Sequence, residues 1–155
     1  MAKKETTARP RIRNRKASFR FELLEKIECG IVLQGTEVKS LRAGLGSLEE
    51  AFARVQNGEL WLLGFHIPHY EHGNVNNHDP NRPRKLLLHK REIVKLMPKV
   101  TQRGQTLVPL AVYFNDRGIA KITIALAKGK THGDKRQDLK SREAKRDIDR
   151  AMRRR

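Results

Sequence analysis

Ala51-Phe52-Ala53-Arg54-Val55-Gln56-Asn57-Gly58-Glu59-Leu60-Trp61-Leu62-Leu63-Gly64-Phe65 reads as a β-hairpin. Asn-Gly between two apolar runs supplies the two positive-φ residues of a tight turn whose twist matches that of paired strands. The second arm, Leu60 to Phe65, is apolar on both faces and fits a central, buried strand. The same periodicity assigns Phe52, Trp61 and Phe65 to the core.

A second hairpin lies downstream. Val108, Leu110, Val112 and Phe114 alternate with other residues, as do Ala120, Ile122, Ile124 and Leu126, and Asn115-Asp116-Arg117-Gly118 joins them. Pro109 has no N–H to donate, so it places its strand at an edge or a bulge. Upstream, Phe19, Phe21 and Leu23 alternate with charged residues, and Ile27, Cys29, Ile31 and Leu33 continue the period of two in a second run. Thr36 to Arg42 is expected to be a short helix, with Thr36 as N-cap, Glu37 in its first turn and Gly44 as its stop. Ile93, Leu96, Met97 and Val100 have helical spacing, but Pro98 is expected to end or kink that helix near Met97. Residues 68–85 read as a long loop. The sum is about six short strands, hairpins and no βαβ alternation. The expected fold class is all-β, a small antiparallel OB-like barrel with two or three flanking helices, because closure removes exposed edges.

Charge is concentrated at the two ends. Residues 1–20 hold 8 basic and 1 acidic residue, and residues 128–155 hold 12 and 5, a net of +7 each within a total of +17. The middle, 21–127, holds 14 and 11, a net of +3. A nearly balanced body with two basic arms points to nucleic acid as partner. We therefore expect a mobile basic arm over 1–17, a folded body over 18–128 and a basic tail over 129–155. The tail lacks a continuous apolar stripe, so it is expected to be unordered alone and to fold on a polyanion.

Other classes are disfavoured. The single cysteine, Cys29, rules out an intrachain disulfide and a cysteine zinc cluster. No apolar run is long enough to span a membrane, and no signal peptide or amphipathic membrane helix is evident, so a cytoplasmic protein is expected. His66, His69, His72 and His78 invite a metal reading, but Pro68 and Gly73 deny the helix that their spacing would need. No metal, no cofactor and no catalytic residue are expected. Without a coiled-coil or apolar stripe, the chain is expected to be monomeric.

Several runs, taken in order, resemble one family. They include Asn14-Arg15-Lys16-Ala17, Gly30 through Gly44 with Gln34-Gly35-Thr36-Glu37-Val38-Lys39-Ser40-Leu41-Arg42, Tyr70-Glu71-His72-Gly73-Asn74 and Asn77-His78-Asp79-Pro80. Arg82-Pro83-Arg84-Lys85-Leu86-Leu87-Leu88-His89, Thr106 to Leu110 and Asp134-Lys135-Arg136 complete the set. Together they resemble SmpB, the SsrA-binding protein family, over essentially the whole chain. The resemblance implies an OB-like barrel that binds the tRNA-like domain of tmRNA. It implies an adaptor for trans-translation, with no activity of its own. It also implies delivery, with elongation factor Tu through alanyl-tmRNA, to stalled ribosomes. There the tail would pass the small-subunit decoding site, enter the empty mRNA channel and become helical. The tail departs from the family pattern. Gly129-Lys130-Thr131 has one cation fewer than the usual Gly-Lys-Lys, and Gly133 stands where a ring is common, with His132 one place earlier.

The candidate RNA-binding residues are Asn14, Arg15, Lys16, Glu37, Val38, Lys39, Ser40, Arg42, Asn77, His78, Arg82, Arg84, Lys85, His89 and Lys90. Lys39 and Arg42 share a helix face suited to phosphates. Glu37 is expected to accept base amino groups, which phosphate contacts cannot read. Arg82, Arg84 and Lys85 crowd together with no acid beside them in sequence. The candidate ribosome-binding tail residues are Lys128, Lys130, His132, Asp134, Lys135, Arg136, Lys140 and Arg142. Two other readings stand beside this one. A ribosomal or assembly protein would share the barrel and arms, though not the specific runs. A metal-dependent nuclease built on the histidine loop with Asp79 lacks a nearby carboxylate pair.

Overall fold

The computed structural model describes residues 12–73, 76–102 and 104–154. Their order is β1 (Ile12–Arg13), α1 (Ala17–Arg20), β2 (Phe21–Ile31), α2 (Gly35–Arg42), β3 (Phe52–Gln56), β4 (Glu59–Leu63), β5 (Arg84–Leu87), α3 (Lys90–Thr101), β6 (Gln105–Phe114), β7 (Ala120–Gly129) and α4 (His132–Arg153).

Both expected hairpins form. Asn57 and Gly58 take φ of 52° and 72°, as the tight turn between β3 and β4 requires. In the β6–β7 turn the Asn115 side chain accepts from the backbone N–H groups of Arg117 and Ile119. The strands form one antiparallel sheet in the order β1-β6-β3-β4-β5-β2-β7, and β6 also pairs with β7. The pairings therefore return to their start in a ring, with β1 on its flank. Pro109 sits at a register shift between β6 and β7, the bulge its missing N–H favours.

Leu60, Leu62, Phe65, Ile67, Leu107, Ile122 and Ile124 fill the interior and are wholly buried. Each contributes roughly 1.5–3 kcal/mol by leaving water. Leu41 of α2 and Leu96 of α3 join the same cluster. No helix among the described residues is long and apolar enough to cross a membrane.

Several sequence expectations change. Phe19 and Arg20 belong to α1, not to a strand, because the N–H groups of both turn back to Lys16 O. The two runs expected at 19–23 and 27–33 merge into β2, with a register shift at the exposed Leu24. Residues 12–17 are part of the body, not of a mobile arm. Ile12 is buried and pairs with Val112, and Ala17 is buried too. The rest of that arm, 1–11, lies outside the described residues. The N-cap of α2 is Gln34, since the Thr36 hydroxyl is engaged by the His78 ring instead. α3 runs through Pro98 to Thr101. The carbonyl that Pro98 cannot serve is that of Val94, a residue on the exposed side of the helix. Gly129 closes β7, and within the segment expected to be unordered His132–Arg153 form one helix, α4. Thr131 starts it, its hydroxyl accepting the Asp134 N–H while the Asp134 carboxylate accepts the Thr131 N–H.

Candidate nucleic-acid interface

The loop between β4 and β5 is fastened to α2 by a buried ionic cluster. Glu37 is wholly buried, and its two oxygens go to different arginines. Oε1 accepts from Arg82 Nε at 2.9 Å and Nη2 at 2.7 Å, and Oε2 accepts from Arg84 Nε at 2.8 Å. Arg84 is also wholly buried. It donates to Phe65 O and to Pro80 O, and its guanidinium lies over the Phe65 ring. Burial pulls its pKa down, and the hydrogen bond and charge of Glu37 oppose that pull.

This corrects three expectations. Glu37 has no free oxygen lobe turned to solvent for a base amino group. Arg82 and Arg84 have an acid after all, and Lys85 also has one, Glu59 at 3.1 Å. Arg84 faces inward and has no exposed surface. His78 is also buried, with Nδ1 against Thr36 Oγ1 and Nε2 against Ile67 O, both at 2.8 Å. The Asn77 side chain closes on the Tyr70 backbone through both N–H and C=O. Asp79 takes the Asn81 N–H in the local turn its sequence suggests. Ser40 is buried and donates to Pro68 O. Asn14 donates to Leu48 O and Pro109 O, tying β1 to the body. Val38 is half-buried. These residues build the surface rather than present themselves on it.

Other candidates are accessible. Lys39 lies over the Tyr70 ring at 5.5 Å and Arg42 over the Phe114 ring at 5.3 Å, both exposed on α2. Arg15 is exposed, and Lys16 is exposed beside Glu49. His89 and Lys90 are exposed at the start of α3.

His89 borders a cleft of about 360 Å³ lined by Glu28, Gly30, Leu87, Leu88, Glu92 and Lys121. Its floor follows from register. Gly30 of β2 faces Leu87 of β5 on one side and Lys121 of β7 on the other. A row of three strands thus lacks its middle side chain. A Cβ at Gly30 would stand 3.1 Å from Leu87 Cβ, tighter than ordinary contact. Leu87 remains 51% exposed, an apolar wall open to solvent. Glu28 and Glu92 offer acceptors, and Lys121 a cation. Sequence reasoning missed Glu28, Leu87, Glu92 and Lys121. The available signal was Leu87 in a Leu-Leu-Leu run, where period two must turn one leucine outward. Cys29, between Glu28 and Gly30 in sequence, is buried in the core, and burial pushes its thiol up to about 12, with Glu92 and Glu28 adding to the shift.

Among the described residues no group of His, Cys, Asp or Glu is arranged to hold a metal ion. His66 is taken by Asn81 and His78 by Thr36.

α4 leaves the body at the end of β7. Lys130 donates to Ser18 O and pairs with Asp138, and its N–H bonds Arg20 O. The Arg142 guanidinium lies 5.8 Å from the Phe19 ring centre. Two of the expected ribosome-facing cations, Lys130 and Arg142, are thus engaged at the joint with α1. Asp134 serves the cap, Lys135 is half-buried, and Lys128, Arg136 and Lys140 are exposed. His132 opens the helix.

The family model described as SmpB protein matches residues 11–154. The chain belongs to the SmpB family. An SsrA-binding protein of Rhodopirellula baltica is 52% identical over 152 residues, covering 98% of this chain and 86% of the relative. One of Desulforamulus reducens is 56% identical over 142 residues, covering 92% and 88%. A solved chain described as "tmRNA-SmpB: a journey to the center of the bacterial ribosome" superposes with a TM-score of 0.67 at 53% identity, over 78% of this chain and 85% of that one. Against this SmpB background, the accessible cleft and the cation-rich α2 face stand out as candidate contacts.

Proposed function

We propose that this chain is the non-catalytic adaptor of trans-translation. It binds the tRNA-like domain of tmRNA through its body and delivers it to stalled ribosomes, where α4 enters the empty mRNA channel. The observation that carries the binding half is the cleft between Leu87, Gly30 and Lys121. A gap with an apolar wall, acceptors and a cation suits an unstacked base better than a duplex backbone. Leu87 packs on the base, Glu28 and Glu92 accept its amino protons, and Lys121 meets a phosphate. The base-reading role expected of Glu37 thus passes to the two cleft acids. Lys39, Arg42, Arg15 and Lys90 add sequence-independent attraction.

In this reading the strand ring is an OB-like barrel, the chain is a cytoplasmic monomer, and elongation factor Tu is met through alanyl-tmRNA. The exposed cations Lys128, Arg136 and Lys140 serve the ribosome.

Equilibrium binding to tmRNA and to an ordinary tRNA, from about 50 to about 200 mM salt, tests it, because phosphate-driven affinity falls steeply over that range. The expected result is a tmRNA preference that survives at high salt and shrinks in Leu87→Ala and Glu28→Gln. Equal affinities that collapse together would instead indicate a generic RNA binder of the ribosome-assembly kind.

A further inference from the structure

The outer surface of β3, β4 and β5 carries aromatic side chains that the core does not use. Leu60 and Leu62 point inward with no exposure, so Trp61 and Leu63 point outward and are half-buried. On β3, Ala53 is inward, while Phe52 (43% exposed) and Arg54 are outward. Sequence periodicity had placed Trp61 and Phe52 in the core. Both faces of this hairpin are apolar, and it is the register that separates them.

Arg54 stands opposite Trp61, and Trp61 opposite Lys85. One row across three strands therefore reads cation, ring, cation. Phe52 stands opposite Leu63 in the next row, which makes Phe52 and Trp61 diagonal neighbours at about 7–8 Å. Lys85 is shared with Glu59, whereas Arg54 has a single weak bond, to Gln56 at 3.4 Å. The strip is continuous with the cleft. Lys85 and Leu87 lie two apart on β5 and so on the same outer face.

We infer that this strip is a stacking platform for two unpaired bases of a single-stranded RNA segment, one on Trp61 and one on Phe52, with Arg54 and Lys85 on the adjoining phosphates. Two rings set diagonally on a sheet with flanking cations have the chemistry for that ligand, because every base offers a π-face. A protein partner would have to bury Arg54, whose described bond is to the neutral Gln56, together with the Lys85–Glu59 pair. The inference extends the RNA-binding function proposed above and rests on it.

Trp61 is the sole tryptophan, so its emission reports on this spot alone. The full chain is titrated with a single-stranded oligoribonucleotide of about twelve nucleotides, within the length that small sheet-based sites cover. Trp61 emission should fall by more than half. Phe52→Ala, at an exposed position, should weaken oligonucleotide binding about tenfold and Arg54→Gln less, in line with one lost base stack. Leu87→Ala should leave the quench in place while it weakens binding of the tRNA-like domain. The platform is overturned by no quench, by full affinity in both Phe52→Ala and Arg54→Gln, or by equal quenching with a duplex of the same length. If the tRNA-like domain still binds in those cases, only the platform fails. If it does not, the proposed function fails with it.

Discussion

Arg84 and Arg146 carry the same guanidinium group, yet one is sealed between Glu37, Phe65 and Pro80 and the other stands in water on α4. The body spends its best-placed cations on architecture, to clamp a long polar loop against α2. The tail spends two, Lys130 and Arg142, on its joint with α1, and leaves most of the rest free. A charge count treats both regions alike. Burial separates them, because an ion removed from water must be paired and an ion on the surface need not be. Substitutions in the two regions should therefore fail in different ways, one through stability and the other through partner binding.

The largest expected effect comes from the clamp. Glu37→Ala strands Arg84 in the interior and should cost about 3–5 kcal/mol in denaturant unfolding. Cys29 gives a second readout, since its buried, protonated thiol reacts only when the body opens. Its labelling at neutral pH should accelerate sharply in this variant. tmRNA binding should weaken although the protein has become more positive. A variant that stays stable and binds more tightly would erase the distinction between the two regions.

Removing 131–155 probes the other side. The cut leaves β7 and the Lys130 bond to Arg20 O intact. Since α4 buries almost nothing, body stability should change by less than about 1 kcal/mol, as for other surface changes. tmRNA affinity should be nearly kept, and tagging on stalled ribosomes should be lost. Destroyed tmRNA binding would mean that the tail shares in recognition.

A smaller effect is expected at the joint. Asp138→Asn removes the partner of Lys130 at a partly exposed site and should cost no more than about 1 kcal/mol. Amide exchange should quicken in the first turns of α4 and stay unchanged in the strand ring. If the whole of α4 is unaffected, the joint does not hold it.

The hairpins were legible because their turns are chemical: Asn57-Gly58 and the Asn115 side chain fix them locally. β5 was not, because Arg84 takes an inward position and inverts the expected polarity of a strand. Glu37 misled for a related reason. An acid at a helix start reads as a surface residue, and its partners lie 45 and 47 positions away. Among the candidate residues, Lys39, Arg42, His89 and Lys90 are exposed, as their charges and ring lead one to expect from sequence. The cleft was not, since its defining feature is a side chain that Gly30 lacks. The tail's composition was readable, whereas its cap was visible only in part, as Thr131 followed three residues later by Asp134.

That cap carries the smallest prediction. The Thr131 side-chain and backbone bonds hold the Asp134 carboxyl below its ordinary value of 3.8, and nearby Lys130 adds to this. A depressed carboxylate stabilises the folded form above its unfolded pKa, and the contribution is lost as pH falls through the folded one. The start of α4 should therefore be intact at neutral pH and loosen only in strong acid. Amide exchange at the Thr131 and Asp134 N–H groups should report the loss. In Asp134→Asn that acid response should vanish, leaving fast exchange at every pH. The strand ring, which does not rest on this carboxylate, should keep its protection where the α4 cap has already lost it. Simultaneous loss in both would mean that α4 and the body unfold as one unit, and the contrast between a clamped body and a loosely jointed tail would not hold.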